Sequence, residues 1–140
     1  MTAGIFVDTN ILIYAHDLDA GDRHEKARGL IEGLWQEGGG VISIQVLQEL
    51  YVNITRKIPT PLPKPQARAL VETYAIWEVV VPSAADLLRA SEIEERHGLS
   101  FWDAMIANAA LKAGAHTLWT EDLNHGQSIE GLQVMNPLFS

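Results

Sequence analysis

The sequence predicts an α/β fold in which a parallel sheet is covered by helices on both faces. Short apolar runs alternate with longer segments that repeat apolar residues at helical spacing. Helices that stand between short strands imply right-handed crossovers, and therefore parallel strands. The chain has 140 residues and no internal repeat, so a single domain over 1–140 is expected.

The elements in the first half of the chain follow from local signals. Three apolar residues predict a buried strand over 5–7, and the apolar pattern after the polar turn predicts a helix from Asn10. A turn at 17–22 leads to a helix over 23–37, which three glycines stop. The remaining predictions here are a strand at 41–42, a helix from 44 to about 57, a stiff proline-rich loop at 58–65 and a helix over 66–74.

The second half begins with a strand predicted over 76–81. Ser83 and Asp86 have the spacing of a capping box, which predicts a helix to about His97, closed by glycine. Ser100 opens the next helix, over 101–113. Two further strands are predicted at 117–119 and 133–135, and Asn-Pro ends the last one.

The charge is strongly negative and unevenly distributed. The formal net charge is −8; residues 1–70 carry 7 basic and 8 acidic side chains, whereas residues 71–140 carry 3 and 10. Because affinity for phosphate comes mainly from Lys and Arg, two interpretations are open. Either nucleic acid is not the substrate, or the carboxylates hold cations that offset their charge. The second interpretation predicts clustered carboxylates.

Composition excludes several classes of protein. The absence of cysteine excludes a disulfide scaffold and fits a reducing cytosol. No apolar run approaches the ~20 residues of a membrane span, and no basic residue precedes Asp8 as in a signal peptide. A cytoplasmic protein without a membrane segment is therefore expected.

Two acidic positions follow predicted strands. Ligands bind beyond the carboxyl ends of strands in an open α/β sheet, and Asp8 would lie on that rim. Asp8 or Thr9 can equally cap the next helix. Asp122 follows the strand at 117–119 in the same way, with an Asx-turn as the alternative, and its neighbour Glu121 fits either role.

Asp103 is the most informative acid on physical grounds. It is the third residue after Ser100, so a capping role competes with a role in a site. On a helical wheel it shares a face with apolar residues at 106, 107 and 110, whereas Asn108 and Lys112 are expected on the other side. A carboxylate among apolar side chains faces the protein body, where an unpaired charge is costly.

Glu49 carries the weakest signal of the four acids. It falls outside the apolar stripe of its helix, beside Asn53 and Arg56. A solvated helix face and the wall of a wet cleft both fit that position. Arg56 and Lys57 are the best candidates for phosphate contacts, and an ordinary basic helix C-terminus is the alternative.

Together the acids point to a hard divalent cation. If several carboxylates converge on one crevice, repulsion raises some of their pKa values unless a cation intervenes. Oxygen ligands without cysteine favour Mg²⁺ or Mn²⁺ over Zn²⁺. Such ions activate water and neutralise a phosphodiester, which permits hydrolysis without a protein nucleophile.

Other chemistries lack support. The five histidines show no zinc-ligand spacing, and no phosphate-binding glycine motif or GxSxG is present. The serines at 43, 83 and 100 are all placed as helix caps. The tryptophans at 35, 77, 102 and 119 are expected in the core or at an interface rather than as base-stacking platforms.

Five short motifs, in this order, resemble those of the PIN-domain family, and more narrowly the VapC-type ribonuclease toxins of type II toxin–antitoxin systems. The acids within them are separated by 41, 54 and 19 residues. The motifs are Val7-Asp8-Thr9-Asn10, Ser43 to Glu49, Phe101-Trp102-Asp103-Ala104, Leu118 to Leu123, and Asn136-Pro137.

The resemblance implies a three-layer α/β/α sandwich with a central parallel sheet. It implies an acidic metal-binding and catalytic quartet of Asp8, Glu49, Asp103 and Asp122. The supporting polar residues would be Thr9, Asn10, Ser43 and Thr120. The implied activity is Mg²⁺- or Mn²⁺-dependent endoribonuclease cleavage, often of structured RNA such as tRNA, in a homodimer that a small cognate antitoxin neutralises.

Three alternatives belong to other classes. A haloacid-dehalogenase-like phosphatase also has an Asp after its first strand, but it normally needs a second Asp where this chain has Asn10. A receiver-type signalling module needs a phosphorylatable Asp at its third strand, which here ends in Val81-Pro82-Ser83. A non-catalytic metal- or RNA-binding scaffold would keep the carboxylates for folding alone.

Overall fold

The computed structural model describes residues 4–139, which form six strands and six α-helices. The strands are β1 (Ile5–Val7), β2 (Gly40–Ser43), β3 (Glu78–Val80), β4 (Thr117–Trp119), β5 (Ser128–Ile129) and β6 (Leu132–Met135). The helices are α1 (Thr9–His16), α2 (Asp22–Glu37), α3 (Ile44–Val52), α4 (Lys64–Tyr74), α5 (Ala84–His97) and α6 (Phe101–Lys112). No helix of this part of the chain is long and apolar enough to cross a membrane.

The strands form one sheet in the order β3-β2-β1-β4-β6-β5. All neighbouring pairs are parallel except β5 and β6, which are antiparallel. The parallel sheet is thus confirmed, but β5 is an addition that was not predicted. Strand β5 has only two residues, which is too short for a recognisable sequence pattern. The turn between β5 and β6 consists of Glu130 and Gly131, whose φ angles are 52° and 90°. Positive φ at both positions is typical of a type I′ turn, although Glu-Gly is not among its usual sequences.

The helices form two layers, one on each face of the sheet. Helices α1 to α4 pack against one another, α5 packs on α6, and α6 contacts β2, β4 and β6. The chain moves outward from β1 to β3 and then returns to place β4 on the other side of β1. Right-handed crossovers therefore put α1–α4 on one face and α5 with α6 on the other, which confirms the three-layer sandwich.

The central strands are buried on both faces. The side chains of Phe6, Val7, Ile42 and Leu118 have no solvent exposure. Strands covered by helices on both sides need continuous apolar runs, and that is the pattern in the sequence. Polar side chains that follow such strands meet at one edge of the sheet, beyond the carboxyl ends.

The predicted caps are confirmed. The hydroxyl oxygens of Ser43, Ser83 and Ser100 accept hydrogen bonds from backbone N–H groups three residues later. Ser83 and Asp86 form the reciprocal capping box. Helix α1 begins at Thr9, one residue before its predicted start, because Asp8 occupies the N-cap position.

Several element boundaries differ from prediction. The helix expected to reach residue 57 ends at Val52, and a π-helical turn, Asn53–Lys57, continues it. In this turn the Asn53 side-chain amide donates to the Glu49 carbonyl, and the Thr55 hydroxyl donates to the Tyr51 carbonyl. These side chains compete with backbone N–H groups for the carbonyl acceptors of the helix. The predicted loop at 58–65 is shorter, since α4 starts at Lys64 with proline in its first turn, where no N–H is needed. The predicted turn at 17–22 contains a short 3₁₀ helix, and the strand predicted over 76–81 is limited to β3.

Asn108 and Lys112 lie on the side of α6 away from Asp103, as expected, but α5 packs against that side. Asn108 is only 5% exposed, and its amide donates to the carboxylate of Asp86 at 3.3 Å. The Lys112 ammonium lies 2.6 Å from the same carboxylate, as does the Arg89 guanidinium. Lys112 is the main reason why the pKa of Asp86 lies well below its usual range. A wheel of one helix cannot show this network, because α5 supplies the carboxylate.

Candidate metal centre

Asp8 lies at the carboxyl end of β1, in the middle of the sheet, and its side chain is buried. One carboxylate oxygen, Oδ1, accepts a hydrogen bond from the Thr9 N–H at 2.7 Å. The other, Oδ2, accepts one from the Thr120 hydroxyl at 2.8 Å. Asp8 therefore caps α1, which confirms one of its two interpretations, and it also lies in the crevice, so its role in binding a ligand stays a prediction.

Two more aspartates converge on Asp8 from other elements. Asp103 comes from the first turn of α6 and Asp122 from the loop after β4. One carboxylate oxygen from each of the three lies within 4.8 Å of the others. Asp8 is buried, Asp103 half-buried and Asp122 exposed, so the cluster opens to solvent on one side. Residues more than a hundred positions apart thus form one site.

Glu49 lines the same crevice from α3. The Thr9 hydroxyl donates to its Oε2 at 3.3 Å, and the Gln45 amide donates to its Oε1 at 2.9 Å. Its charge contributes to the raised pKa values of Asp8 and Asp103. Glu49 is half-buried and stands beside the three aspartates rather than on the solvated outer face of its helix.

A polar frame holds Asp122 in place. The Asn10 amide donates to Asp122 Oδ2 at 3.0 Å and to the Thr120 hydroxyl at 3.3 Å. The Thr120 hydroxyl also accepts the Asp122 N–H at 3.0 Å. Ser43 acts at a distance, because its hydroxyl caps α3 and so positions the helix that carries Glu49.

The structure separates Glu121 from Asp122, which the local sequence could not do. The Glu121 carboxylate accepts a hydrogen bond from the Tyr14 hydroxyl at 2.6 Å and lies 3.8 Å from the Arg23 guanidinium. Arg23 also lies over the Tyr14 ring, 5.6 Å from its centre. Glu121 is therefore engaged with the α1–α2 layer, and Asp122 is the member of the pair that joins the cluster.

Burial and repulsion favour the neutral acid in this cluster. Burial raises the pKa of Asp8 from 3.8 to about 7, against the hydrogen bonds from Thr120 and Thr9 that lower it. The charges of Asp122 and Glu49 raise it further. Burial likewise raises the pKa of Asp103, and the same two carboxylates add to the effect.

The donor set fits a hard divalent cation. Oxygens bound to Mg²⁺ at about 2.1 Å lie about 3 Å apart when adjacent and about 4 Å apart when opposite. One carboxylate oxygen each from Asp8, Asp103 and Asp122 lies within 4.8 Å of the other two. Only a small inward movement of these oxygens is needed to reach the spacing around Mg²⁺. No histidine within residues 4–139 joins a group of this kind, which favours Mg²⁺ or Mn²⁺ over Zn²⁺.

Some residues near the crevice had no recognisable sequence signal. Gln45 joins Glu49 to the start of α6, since its amide also contacts the Trp102 carbonyl at 3.5 Å. Arg23 pairs with Glu121, the chain neighbour of Asp122, and is a cation that the sequence patterns did not indicate. By contrast, Arg56 and Lys57 are exposed on the π-helical turn, and within the described residues neither is bonded to any of the four acids.

Comparison with known proteins agrees with this architecture. The family model of the PIN domain matches residues 5–127. No curated protein matches the chain.

Solved structures share the fold at low sequence identity. A toxin–antitoxin complex from Klebsiella pneumoniae is 24% identical, with a TM-score of 0.69 over 96% of this chain and 98% of that one. VapC20 of Mycobacterium tuberculosis, a toxin that cleaves the sarcin–ricin loop, is 22% identical, with a TM-score of 0.64 over 85% and 90%. VapBC2 of Rickettsia felis, bound to promoter DNA, is 24% identical, with a TM-score of 0.63 over 93% and 96%.

The family match covers most of the chain, and the sheet order, the two helix layers and the acidic crevice all accompany it. The chain belongs to the PIN domain family.

Proposed function

We propose that this protein is a divalent-metal-dependent endoribonuclease and the toxin of a toxin–antitoxin pair. The observation that carries the proposal is the convergence of Asp8, Asp103 and Asp122, whose carboxylate oxygens lie within 4.8 Å of one another. Membership of the PIN domain family supports it, as does the fold shared with a sarcin–ricin-loop-cleaving toxin and with a toxin–antitoxin complex.

In this proposal Asp8 and Asp103 are the direct ligands of a Mg²⁺ or Mn²⁺ ion. Glu49 and Asp122 hold a second ion or an ordered water. When bound, the cation supplies the Lewis acidity that activates water, neutralises the phosphodiester and stabilises the leaving oxygen. The protein residues orient the ligands, and none of them acts as a nucleophile.

The supporting residues keep the carboxylates in position. Thr9 donates to Glu49 through its hydroxyl and to Asp8 through its backbone N–H. Thr120 donates to Asp8, and Asn10 donates to Asp122. These hydrogen bonds hold the carboxylates of Asp8, Glu49 and Asp122 in position. The remaining lone pairs of these carboxylates are free to bind a cation.

Cations around the crevice are assigned to the RNA backbone. Arg23 is 62% exposed and lies beside Glu121, next to Asp122, which makes it a phosphate contact at the edge of the site. In this proposal Arg56 and Lys57, on the π-helical turn after α3, contact further phosphates of the RNA. The acidic surface limits non-specific RNA binding, since that binding depends on cations.

The partners in this proposal are an RNA substrate, with tRNA as the first to test, a small antitoxin and a second copy of the chain in a homodimer. We place the activity in the cytoplasm. A small open reading frame directly upstream of the gene, whose product binds this protein and suppresses its toxicity, would support the antitoxin assignment.

The test is cleavage of purified tRNA by the wild-type protein with Mg²⁺, with Mn²⁺ and with excess EDTA. Asp8→Asn should abolish cleavage while circular dichroism shows a folded protein. Glu37→Gln is the matched control, because it also removes one negative charge but is exposed at the end of α2. It should cleave at the wild-type rate.

Cleavage at the wild-type rate by Asp8→Asn, or in excess EDTA, would contradict the proposal. Tight RNA binding by the wild-type protein without any cleavage would instead favour the scaffold alternative.

A further inference from the structure

Trp102 is an exposed aromatic residue that adjoins one of the acids of the crevice in the chain. Its side chain is 63% exposed, whereas Trp77 in the core is 8% exposed. It directly precedes Asp103 in the first turn of α6. Of the two places expected for the tryptophans, this exposure excludes the core for Trp102 and leaves an interface.

The ring and backbone of Trp102 are held in place. The Phe101 ring packs against the indole in a T-shaped arrangement, with ring centres 5.1 Å apart and an angle of 76° between the planes. The Trp102 carbonyl contacts the Gln45 amide, which also donates to Glu49. Trp102 is therefore connected to the wall of the crevice by a side chain that also holds one of its acids.

Trp35, the other tryptophan more than a third exposed, has a different environment. Trp35 is 38% exposed and packs against Tyr74 and Trp77, with ring centres 5.9 and 5.2 Å away. It lies beside Gly4 and Gly40, at the amino ends of the strands and away from the acids. Trp35 is thus an extension of the core, which makes it a suitable control.

The surroundings of Trp102 favour a nucleobase over a protein partner. The centres of protein contacts are poor in charged residues, but Trp102 directly precedes Asp103 in the chain, and its carbonyl contacts the Gln45 amide that also holds Glu49. Stacking on an aromatic ring contributes to RNA binding without any positive charge. An acidic protein with few cations near its site has particular need of such a contact.

We propose that Trp102 stacks on an unpaired base of the RNA next to the phosphodiester that is cleaved, and so sets the position of the strand in the crevice. This proposal rests on the proposed nuclease function. Trp102 belongs to α6 and Arg23 to α2, two helices on opposite faces of the sheet. In this proposal the RNA strand is held between them and passes over Asp8, Asp103 and Asp122.

The test compares Trp102→Ala and Trp102→Phe for binding to a fluorescein-labelled single-stranded RNA and to its duplex. The Asp8→Asn background with Mg²⁺ prevents cleavage during the measurement. Trp102→Ala should raise the Kd for the single strand about 5- to 150-fold, the range for loss of one stacked base. Trp102→Phe, which keeps a flat ring, should recover most of the affinity, and Trp35→Phe should leave it unchanged.

Two further readouts separate stacking from a structural role. Single-stranded RNA should quench intrinsic tryptophan fluorescence, and that quenching should disappear in Trp102→Phe but remain in Trp35→Phe. The slope of log Kd against log salt concentration should be the same with and without Trp102, because no cation is removed. Duplex binding should change little.

The outcomes distinguish this proposal from the nuclease function. One outcome is that Trp102→Ala does not weaken binding to the single strand, and that Trp102→Ala alone, with Asp8 intact, cleaves tRNA with the wild-type KM and kcat. That pair of results would overturn the stacking role and leave the nuclease function standing. If single-stranded RNA quenches the tryptophan fluorescence and Trp102→Ala loses affinity for it, but the wild-type protein does not cleave RNA, stacking is supported and the nuclease function is rejected. Loss of self-association in Trp102→Ala at unchanged RNA affinity would make Trp102 a protein-contact residue and overturn the proposal.

Discussion

Substitution of Asp8 by Asn should stabilise the metal-free protein at alkaline pH, although we expect the same substitution to abolish the proposed cleavage. The pKa of Asp8 is raised from 3.8 to about 7, chiefly because the carboxylate is buried. Each pKa unit corresponds to about 1.4 kcal/mol, so the ionised side chain destabilises the metal-free fold by about 4 kcal/mol at pH 8. The amide that replaces the carboxylate in Asp8→Asn carries no charge and avoids that cost.

The hydrogen bonds of Asp8 offset part of this gain. The Thr120 hydroxyl donates to Asp8 Oδ2, while its lone pairs accept the Asn10 amide and the Asp122 N–H. An amide NH₂ in place of Oδ2 would find no free acceptor there, at a cost of about 1–3 kcal/mol. The net stabilisation is therefore about 1–3 kcal/mol, or a rise of about 3–10 °C in Tm at pH 8 in EDTA.

The sign of the pH dependence follows from the direction of the pKa shift. The folded protein binds the Asp8 proton more tightly than the unfolded chain, so wild-type stability falls as pH rises from about 4 to about 7. At pH 5 the cost of the carboxylate is only about 2 kcal/mol, and the advantage of Asp8→Asn should disappear. Mg²⁺ should raise the Tm of the wild-type protein and have little effect on the variant.

Thermal unfolding followed by circular dichroism, at pH 5 and pH 8 with EDTA or Mg²⁺, measures these differences. Glu37→Gln again serves as the charge-matched control. A variant that is less stable than the wild type by the same amount at both pH values would refute the reasoning. Equal stabilisation of both proteins by Mg²⁺ would also refute it, because the cation would then bind without Asp8.

Three further outcomes are expected. Asp122→Asn should lower kcat for tRNA cleavage at least about 10-fold, because in our proposal it holds the second ion or ordered water, whereas Glu121→Gln should change it little, since the Glu121 carboxylate is bonded to Tyr14 and Arg23 and is not part of the cluster. Asp86→Asn should lower the Tm at neutral pH, and the difference should shrink as pH falls below 3.8, where wild-type Asp86 loses the advantage of its lowered pKa. Gly40→Ala would place a Cβ 2.8 Å from the Trp77 ring, so urea denaturation should show a loss of about 1–3 kcal/mol while kcat is retained.

Local patterns predicted most of the fold. The strand at 5–7 and the caps at Ser83 and Ser100 depend on interactions within a few residues, and the structure confirms them. The sequence patterns were incomplete where a distant segment decides the outcome. Helix α5 buries Asn108 by bringing Asp86 against it, and β5 exists only because β6 offers an edge to pair with.

The same division applies to the crevice. The sequence alone determined that acidic residues follow the first and fourth strands and occupy the first turn of the helix at 101, because strand ends and helix starts are local features. It could not decide between capping and cation binding for Asp8, or between Glu121 and Asp122. Those choices depend on directions of side chains across a sheet whose order, β2-β1-β4, brings together residues more than a hundred positions apart. Only the packed tertiary structure sets that order, because burial of both sheet faces is a property of the whole chain.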